Sequence, residues 1–196
     1  MTDDELLVAA EALGDEAAAV AADLGLFALC ATVGRPVLVG SAALGLMVRR
    51  DLDVTVVCER LDVGAVFLLG HRLVGSPRVR QARFRNDTGD WNADPAYPDG
   101  LYWGVEYRSP AGHPWTLDVW FVDEPDRQPD LAHLRDLPPL LTAEARVAVL
   151  RLKHAWHTRP EYGRTVTSWD LYDAVLHHGV RTPDGLAGHL AGRPAG

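Results

Sequence analysis

The sequence predicts an α/β (α+β) protein with a short mixed sheet that is flanked by helices and followed by a helical segment. Three observations support this class: short apolar runs alternate with helical patterns early in the chain, polar and apolar residues alternate through the middle, and the part after two proline-rich stretches has a helical pattern. The length of 196 residues fits one domain, with or without a small helical appendage. We predict a core with N-terminal helices at residues 1–125 and a helical segment packed on it at 126–196.

The first part of the chain is predicted to contain helices and two short strands. Alanine, leucine and acidic residues dominate residues 3–13 and 14–30, which is typical of two helices. Glycine and proline at positions 34 and 36 end that pattern. The elements that follow are a buried strand at 37–39, a short helix at 42–48, a β-branched strand at 52–58 and a helix at 62–73.

The middle of the chain has the alternating pattern of half-exposed strands, at 78–85 and 101–108, and an apolar strand follows at 115–122. The stretch NDTGDWNADPAYPDG, residues 86–100, separates the first two. A turn-rich loop of this length in a compact domain is typical of a lid or a binding loop, or else of a disordered segment. Helices are predicted at 142–158 and 168–178, the second closed by Gly179 as its C-cap.

Composition and charge exclude several classes of protein. The formal net charge of −8 argues against broad binding to nucleic-acid backbones, although one structured RNA such as a tRNA can still bind through a local basic patch. Cys30 and Cys58 lie in apolar runs and are predicted to be buried free thiols. The acidic start MTDDELLVAA lacks the features of a signal peptide, and the apolar run at 17–31 is too short to span a membrane. We therefore expect a cytoplasmic protein with no membrane partner.

Two aspartates next to an apolar strand are the first chemical signal. Asp51 and Asp53 are predicted to project from one face of that strand, about 7 Å apart. Two unpaired carboxylates there repel each other, and a divalent cation such as Mg²⁺ relieves the repulsion. Asp118 interrupts WTLDVWFV, an otherwise apolar strand in which aspartate is disfavoured, and it is our candidate for a third metal ligand.

A glycine-serine pair precedes the two aspartates. Gly40 and Ser41 stand where a strand is predicted to end and a helix to begin. Glycine lets a phosphate approach the backbone, free N–H groups at a helix start attract it, and the serine hydroxyl adds a donor. A triphosphate site followed by paired metal ligands fits phosphoryl or nucleotidyl transfer.

This pattern, Gly40-Ser41, nine residues, Asp51-Leu52-Asp53 and a later strand aspartate, resembles the signature of the nucleotidyltransferase superfamily. That superfamily includes DNA polymerase β, the antibiotic nucleotidyltransferases and the minimal nucleotidyltransferases. The resemblance implies a nucleotidyltransferase fold, Gly40 and Ser41 at the nucleotide phosphates, and two Mg²⁺ ions held by Asp51, Asp53 and Asp118. It further implies that Asp118 helps to deprotonate the acceptor.

A second stretch, RLKHAWHTR followed by SWDLYDAV, is similar to the AbiEii-type toxin nucleotidyltransferases. The similarity implies that Lys153 reaches the triphosphate, while Trp169 stands where those toxins carry an arginine. The activity implied is Mg²⁺-dependent transfer of a nucleoside monophosphate from an NTP to a hydroxyl acceptor. The acceptor is a small molecule such as an antibiotic, or a tRNA or protein in a toxin-like role. The alternative is an inactive binding or regulatory module of the same fold.

Each candidate residue also has an ordinary structural alternative. Asp51 and Asp53 can be solvated residues at a strand start, and Gly40-Ser41 a simple turn or helix cap. Asp118 can be a buried aspartate paired with an arginine, and Lys153 can lie on a solvated helix face.

Other polar and aromatic residues are ambiguous at this level. Asp170 closes TSWD, a pattern that resembles a capping box, and His154 and His157 share a helical face without a zinc pattern. Arginines 78, 80, 83 and 85 suit an edge strand or an anionic acceptor. Four aromatic residues wall a pocket or form a satellite core: Trp91, Tyr97, Tyr102 and Trp103.

Overall fold

The computed structural model describes residues 1–192, so the last four residues of the predicted 126–196 segment lie outside the described part. Within 1–192 one mixed sheet contains the strands β1 (Arg35–Val39), β2 (Asp51–Val57), β3 (Val79–Asp87), β4 (Gly100–Arg108) and β5 (Pro114–Val122). Their order is β1-β2-β5-β4-β3. Only the β2–β5 pair among these is parallel, which confirms the predicted short mixed sheet.

Helices flank this sheet and make up most of the described chain after β5. In chain order they are α1 (Asp3–Leu24), α2 (Leu26–Cys30), α3 (Gly40–Leu44), α4 (Val63–Val74), α5 (Pro129–Asp136), α6 (Ala143–Trp156), α7 (Ser168–Leu176) and α8 (Pro183–Ala191). Short 3₁₀ turns lie at Gly89–Trp91, Pro125–Arg127 and Pro138–Leu140. The predicted α/β class with flanking helices is therefore confirmed.

The N-terminal helices break at a different glycine from the one predicted. Helix α1 runs through Gly14, where a Cβ would meet nothing, and ends at Gly25, which has φ 61°. A left-handed residue cannot continue a helix, whereas a helical glycine only weakens it. Gly179 is likewise not the cap of α7, because His177 takes that position and Gly179 turns the chain beyond it with φ 67°.

Helices α5 and α8 were not predicted from the sequence. Each begins with a proline: Pro129 lies in the first proline-rich stretch, and Pro183 lies in the predicted helical segment beyond the last helix that was assigned there. Proline is well suited to the first helical turn because the N–H that it lacks has no partner there in any case. Thr182 adds an N-cap to α8 by accepting a hydrogen bond from the Gly185 amide.

One face of the sheet is buried under α1, α2 and α4. Alternate residues of the central strands form this core, among them Leu52 and Val54 of β2 and Leu117 and Val119 of β5. A second apolar cluster joins α6, α7 and α8 to the N-terminal half of α1 and the end of α3. Helix α1 therefore contributes to both clusters, and the division of the chain at residue 125 remains a prediction.

Both cysteines, Cys30 and Cys58, are buried and free. Burial raises the pKa of the Cys30 thiol to about 12 and that of Cys58 to about 11, so both are inert neutral thiols. The prediction of buried free thiols is confirmed. No helix within residues 1–192 is long and apolar enough to cross a membrane.

The opposite face of the sheet is polar. Asp53 of β2 is the register partner of Asp118 on β5, and Asp118 in turn lies opposite Gly104 on β4. Register partners project to the same side of a sheet. The three candidate aspartates therefore share the face that α1, α2 and α4 leave uncovered.

Candidate active site

The structure brings the three predicted carboxylates together. One carboxylate oxygen from each of Asp51, Asp53 and Asp118 lies within 4.8 Å of the other two. The first two stand two residues apart on β2, and the parallel neighbour β5 supplies the third. These side chains are not solvated residues of a strand start, since Asp51 is buried and the other two are partly buried.

This clustering has an electrostatic cost. Burial raises the pKa of Asp53 well above its ordinary value, and the negative charges of Asp51 and Asp118 raise it further. Burial and Asp51 also raise the pKa of Asp118, against the lowering effect of its hydrogen bond from Tyr102. Carboxylates that resist ionisation in this way gain from a cation among them.

Two neighbours orient the carboxylates. Arg49 donates to Asp51 Oδ2 from Nε at 3.0 Å and from Nη2 at 2.5 Å. The Tyr102 hydroxyl donates to Asp118 Oδ1, and burial together with that contact raises the pKa of Tyr102. The hydrogen bond of Asp118 thus comes from a tyrosine on β4, while the arginine pairs with Asp51. Arg49 was not among the predicted site residues.

Gly40 and Ser41 lie directly beside Asp53. Gly40 has φ 65°, and a Cβ at this position would overlap the Asp53 carboxylate. It is the first residue of α3, with Val39 as N-cap, and Ser41 is buried just behind it. The backbone can therefore approach the carboxylates closely only because residue 40 has no side chain.

Gly40→Ala is expected to displace the Asp53 carboxylate, because the new methyl group would overlap it, and so to weaken the Mg²⁺-dependent nucleotide binding that the sequence resemblance implies. The matched control is Gly25→Ala. Gly25 also has a left-handed φ, 61°, but a Cβ at that position would meet nothing. The left-handed backbone destabilises both variants by about 1–2 kcal/mol. Only Gly40→Ala should lose affinity for nucleotide in a titration with Mg²⁺, and equal loss in both variants would contradict this account.

Lys153 is the only lysine of the chain, and it is buried. Its Nζ donates to the Leu46 carbonyl oxygen at 2.8 Å and to the Tyr172 hydroxyl at 3.2 Å. Burial lowers its pKa to about 7, although the negative charge of Asp53 opposes that shift. The alternative of a lysine on a solvated helix face is therefore wrong.

All six predicted site residues line one cavity of about 490 Å³. Its opposite wall comes from α5 and the segment around the start of α7, with Asp130, His133, Tyr162 and Trp169. The rings of His133 and Trp169 stack with centroids 4.3 Å apart. Asp130 and His133 were missed because α5 was not predicted, and the signal that could have found it is Pro129 at the start of PDLAHLRD.

A second cavity of about 580 Å³ adjoins the first, and Tyr97 and Asp130 line both. Residues of the predicted 86–100 loop form much of it, including Trp91 and Asp94, and Trp120 of β5 completes the aromatic lining. Trp103, in contrast, belongs to the buried core. Of the two alternatives for these aromatic residues, Trp91 and Tyr97 follow the pocket and Trp103 follows the core, while Tyr102 donates a hydrogen bond to Asp118.

The strand arginines, Asp170 and the histidine pair were also ambiguous. Strand β3 lies at the edge of the sheet, where Arg80 pairs with Glu106, whereas Arg85 pairs with Asp87 and also lines the second cavity. Asp170 forms a capping box with Thr167, as the TSWD pattern predicted. His154 and His157 have ring centroids 5.6 Å apart, and no cluster of possible metal ligands found within residues 1–192 includes them.

Neither a protein-family model nor a curated protein matches this sequence. Several solved structures have a similar fold. A cytoplasmic RNA terminal U-transferase superposes with a TM-score of 0.58 at 17% identity, over 89% of this chain and 54% of that chain. The crystal structure of Cid1 poly(U) polymerase superposes with a TM-score of 0.59 at 16% identity, over 92% of this chain and 56% of that chain. A mutant of Cid1 bound to MgATP superposes with a TM-score of 0.59 at 16% identity, over 91% of this chain and 57% of that chain.

The chain thus spans a little over half the length of the structures that it matches. At these identities the similarity establishes the fold. The chain has a nucleotidyltransferase-type fold, which confirms the fold expected from the Gly-Ser and aspartate pattern.

Proposed function

We propose that this chain transfers a nucleoside monophosphate from an NTP to a hydroxyl acceptor in a Mg²⁺-dependent reaction. The observation that supports this most directly is the convergence of Asp51, Asp53 and Asp118 within 4.8 Å, in a cavity that also contains Gly40 and Lys153. A structural role explains this arrangement poorly, since the clustered carboxylates repel one another, and Arg49 pairs with Asp51 while Asp53 and Asp118 keep raised pKa values.

The residues fit magnesium. Mg²⁺ prefers oxygen ligands and keeps coordination positions for water and phosphate oxygens, and Asp51, Asp53 and Asp118 supply carboxylate oxygens from one face of the sheet. The superfamily resemblance implies two ions. Bound Mg²⁺ would neutralise the charge that develops on the phosphate oxygens during transfer. The Cid1 structure bound to MgATP supports the choice of ion and nucleotide.

The triphosphate would lie against Gly40 and Ser41. The missing side chain at Gly40 lets the Asp53 carboxylate lie against the backbone, both Gly40 and Ser41 line the cavity, and the Ser41 hydroxyl can donate to phosphate oxygens there. Lys153 lines the same cavity and supplies a positive charge whenever it is protonated. Its pKa near 7 means that a bound polyphosphate would draw a proton onto it at neutral pH.

Asp118 is our candidate for the group that accepts the proton of the acceptor hydroxyl. The Tyr102 hydroxyl fixes its Oδ1 atom, and the superfamily resemblance implies this role for the third carboxylate. The deprotonated hydroxyl would attack the α-phosphorus in line, the α–β phosphoanhydride bond would break, and pyrophosphate would leave.

We place the acceptor in the adjoining cavity. Its rings, Trp91, Tyr97 and Trp120, can stack on a base or pack against a sugar. Its charged lining is mixed, because Arg85 can contact an anionic group and Asp94 and Asp130 a cationic one. A volume of about 580 Å³ suits a small molecule or a terminal nucleotide. The structures of similar fold include an RNA terminal U-transferase, so RNA ends belong among the acceptors tested.

The test is transfer of label from α-labelled ATP, GTP, CTP and UTP with Mg²⁺, offered to total RNA, protein, and a panel of aminocyclitols and lincosamides. We expect label on one acceptor class with the wild type, and none with Asp51→Asn or Asp53→Asn. Absence of transfer, together with nucleotide binding that Mg²⁺ does not improve, would favour the inactive binding module instead.

A further inference from the structure

A second cluster of metal-binding side chains lies in the C-terminal helices, away from the cavity described above. Asp173 projects from α7, His178 lies just beyond the end of that helix, and His189 projects from α8. One possible ligand atom from each lies within 4.8 Å of the other two. None of the three lines the cavity of the aspartate triad.

The distances within the cluster are close to those of a tetrahedral zinc site. Nε2 of His178 lies 3.4 Å from Oδ2 of Asp173, and the rings of His178 and His189 have centroids 4.7 Å apart. Ligand atoms at about 2.0–2.1 Å from a tetrahedral Zn²⁺ stand about 3.3 Å from one another. The distance between Asp173 and His178 already matches this value, and the limit of 4.8 Å on the other two separations exceeds it by no more than about 1.5 Å.

The environment of His189 gives a second, independent indication. Its Nε2 atom is buried and has no hydrogen-bond partner among the described residues. A buried ring nitrogen without a hydrogen-bond partner lowers the stability of the folded protein by about 1–3 kcal/mol, so the imidazole is destabilising at this position. A metal ion is one partner that would remove this cost.

A neighbouring histidine is placed to support the cluster. Nδ1 of His177 lies 3.1 Å from Oδ1 of Asp173, on the other oxygen from the one that faces His178. Metal-binding carboxylates are commonly held by such a contact on the second oxygen. His154 and His157 differ in this respect. Their rings are also close together, but within residues 1–192 they belong to no group of three possible metal ligands.

We propose that Asp173, His178 and His189 bind a Zn²⁺ ion that holds α8 against α7. Two imidazoles and one carboxylate are ligands that suit zinc better than magnesium, and the exposed side of His178 leaves a fourth position for water. This site is distinct from the magnesium site, and it does not depend on the proposed function.

The test is zinc binding to EDTA-treated full-length protein in saturating Mg²⁺ at pH 7.5, measured by competition with a chromogenic chelator. We expect one Zn²⁺ per chain in the wild type and in Asp53→Asn. His178→Ala and His189→Ala should each weaken binding by more than the roughly 10–100-fold that loss of a supporting residue causes. The double variant His154→Ala/His157→Ala is the matched control and should bind zinc as the wild type does.

Thermal unfolding supplies a second readout that keeps the proposal testable if one variant folds poorly. Zinc that binds only the folded chain should raise the melting temperature of the wild type and of the control, and not that of His178→Ala. Unchanged zinc affinity in both single variants would overturn the proposal. So would zinc binding that disappears in Asp53→Asn alone, because the ion would then lie at the aspartate triad.

Discussion

Asp53→Asn is expected to lower nucleotidyl transfer by about 10²–10³-fold, and to raise the stability of the metal-free protein at neutral pH. Activity falls because the amide lacks the charge that a metal ligand needs. Stability rises because the amide removes a buried carboxylate whose neighbours, Asp51 and Asp118, repel its charge. Loss of function together with a gain in stability identifies a residue that is retained for its chemistry.

The pH dependence of this effect follows from the raised pKa of Asp53. Below the ordinary aspartate pKa the group is protonated in both the folded and the unfolded chain. Between the ordinary and the raised pKa the unfolded chain releases this proton while the folded chain keeps it, so the free energy of unfolding falls as pH rises across that window and levels off above the raised folded pKa. The advantage of Asp53→Asn should therefore be small in acid and grow towards neutral pH.

Thermal unfolding of both proteins at pH 5 and pH 8, with EDTA or with Mg²⁺, measures this directly. Mg²⁺ should raise the melting temperature of the wild type at pH 8 and have little effect on Asp53→Asn. Asp15→Asn, on the exposed face of α1, is the matched control and should change neither property. A variant less stable than the wild type at pH 8 without metal would contradict the electrostatic argument.

Lys153→Met is expected to stabilise the protein at pH 7 and below, while it raises the KM for nucleotide and lowers transfer. Burial lowers the pKa of Lys153 from 10.5 to about 7. Between these values the unfolded chain binds more protons than the folded chain, so wild-type stability rises with pH across that window. At about 1.4 kcal/mol per pKa unit the upper limit is roughly 5 kcal/mol, and the lost hydrogen bonds will reduce the gain.

The stability gained by Lys153→Met should be largest at and below pH 7 and should shrink towards pH 10. Denaturant unfolding across this pH range measures it. Because Lys153 is the only lysine, chemical labelling gives an independent measurement. Pyridoxal phosphate followed by borohydride should label Lys153, and NTP should protect it. Labelling confined to the N-terminal amine, or not reduced by NTP, would argue against a lysine at the triphosphate.

The aspartate cluster could be predicted from the sequence because its signals are local. Strand alternation places Asp51 and Asp53 on one face, and an aspartate within WTLDVWFV has few structural explanations. The neighbours of these residues could not be predicted in the same way. The contact between Tyr102 and Asp118 depends on the register of β4 against β5, which no short stretch of sequence specifies.

The wall opposite the carboxylates was missed for a related reason. Proline-rich sequence suggested irregular structure, whereas Pro129 begins α5 and thereby brings Asp130 and His133 to the cavity. The burial of Lys153 likewise follows from the packing of α6 on α7, which supplies the Tyr172 hydroxyl as its partner. Helical periodicity alone does not tell which polar residue of an amphipathic helix is covered by another element.

The most direct test of the proposed reaction compares the fate of two labels on the same NTP, with the acceptor identified by the transfer survey. Nucleotidyl transfer predicts that the α-label appears on the acceptor and the γ-label is released as pyrophosphate, both only with Mg²⁺ and with Asp51, Asp53 and Asp118 intact. Transfer of the γ-label to the acceptor, or α-label transfer that persists in Asp53→Asn, would contradict it.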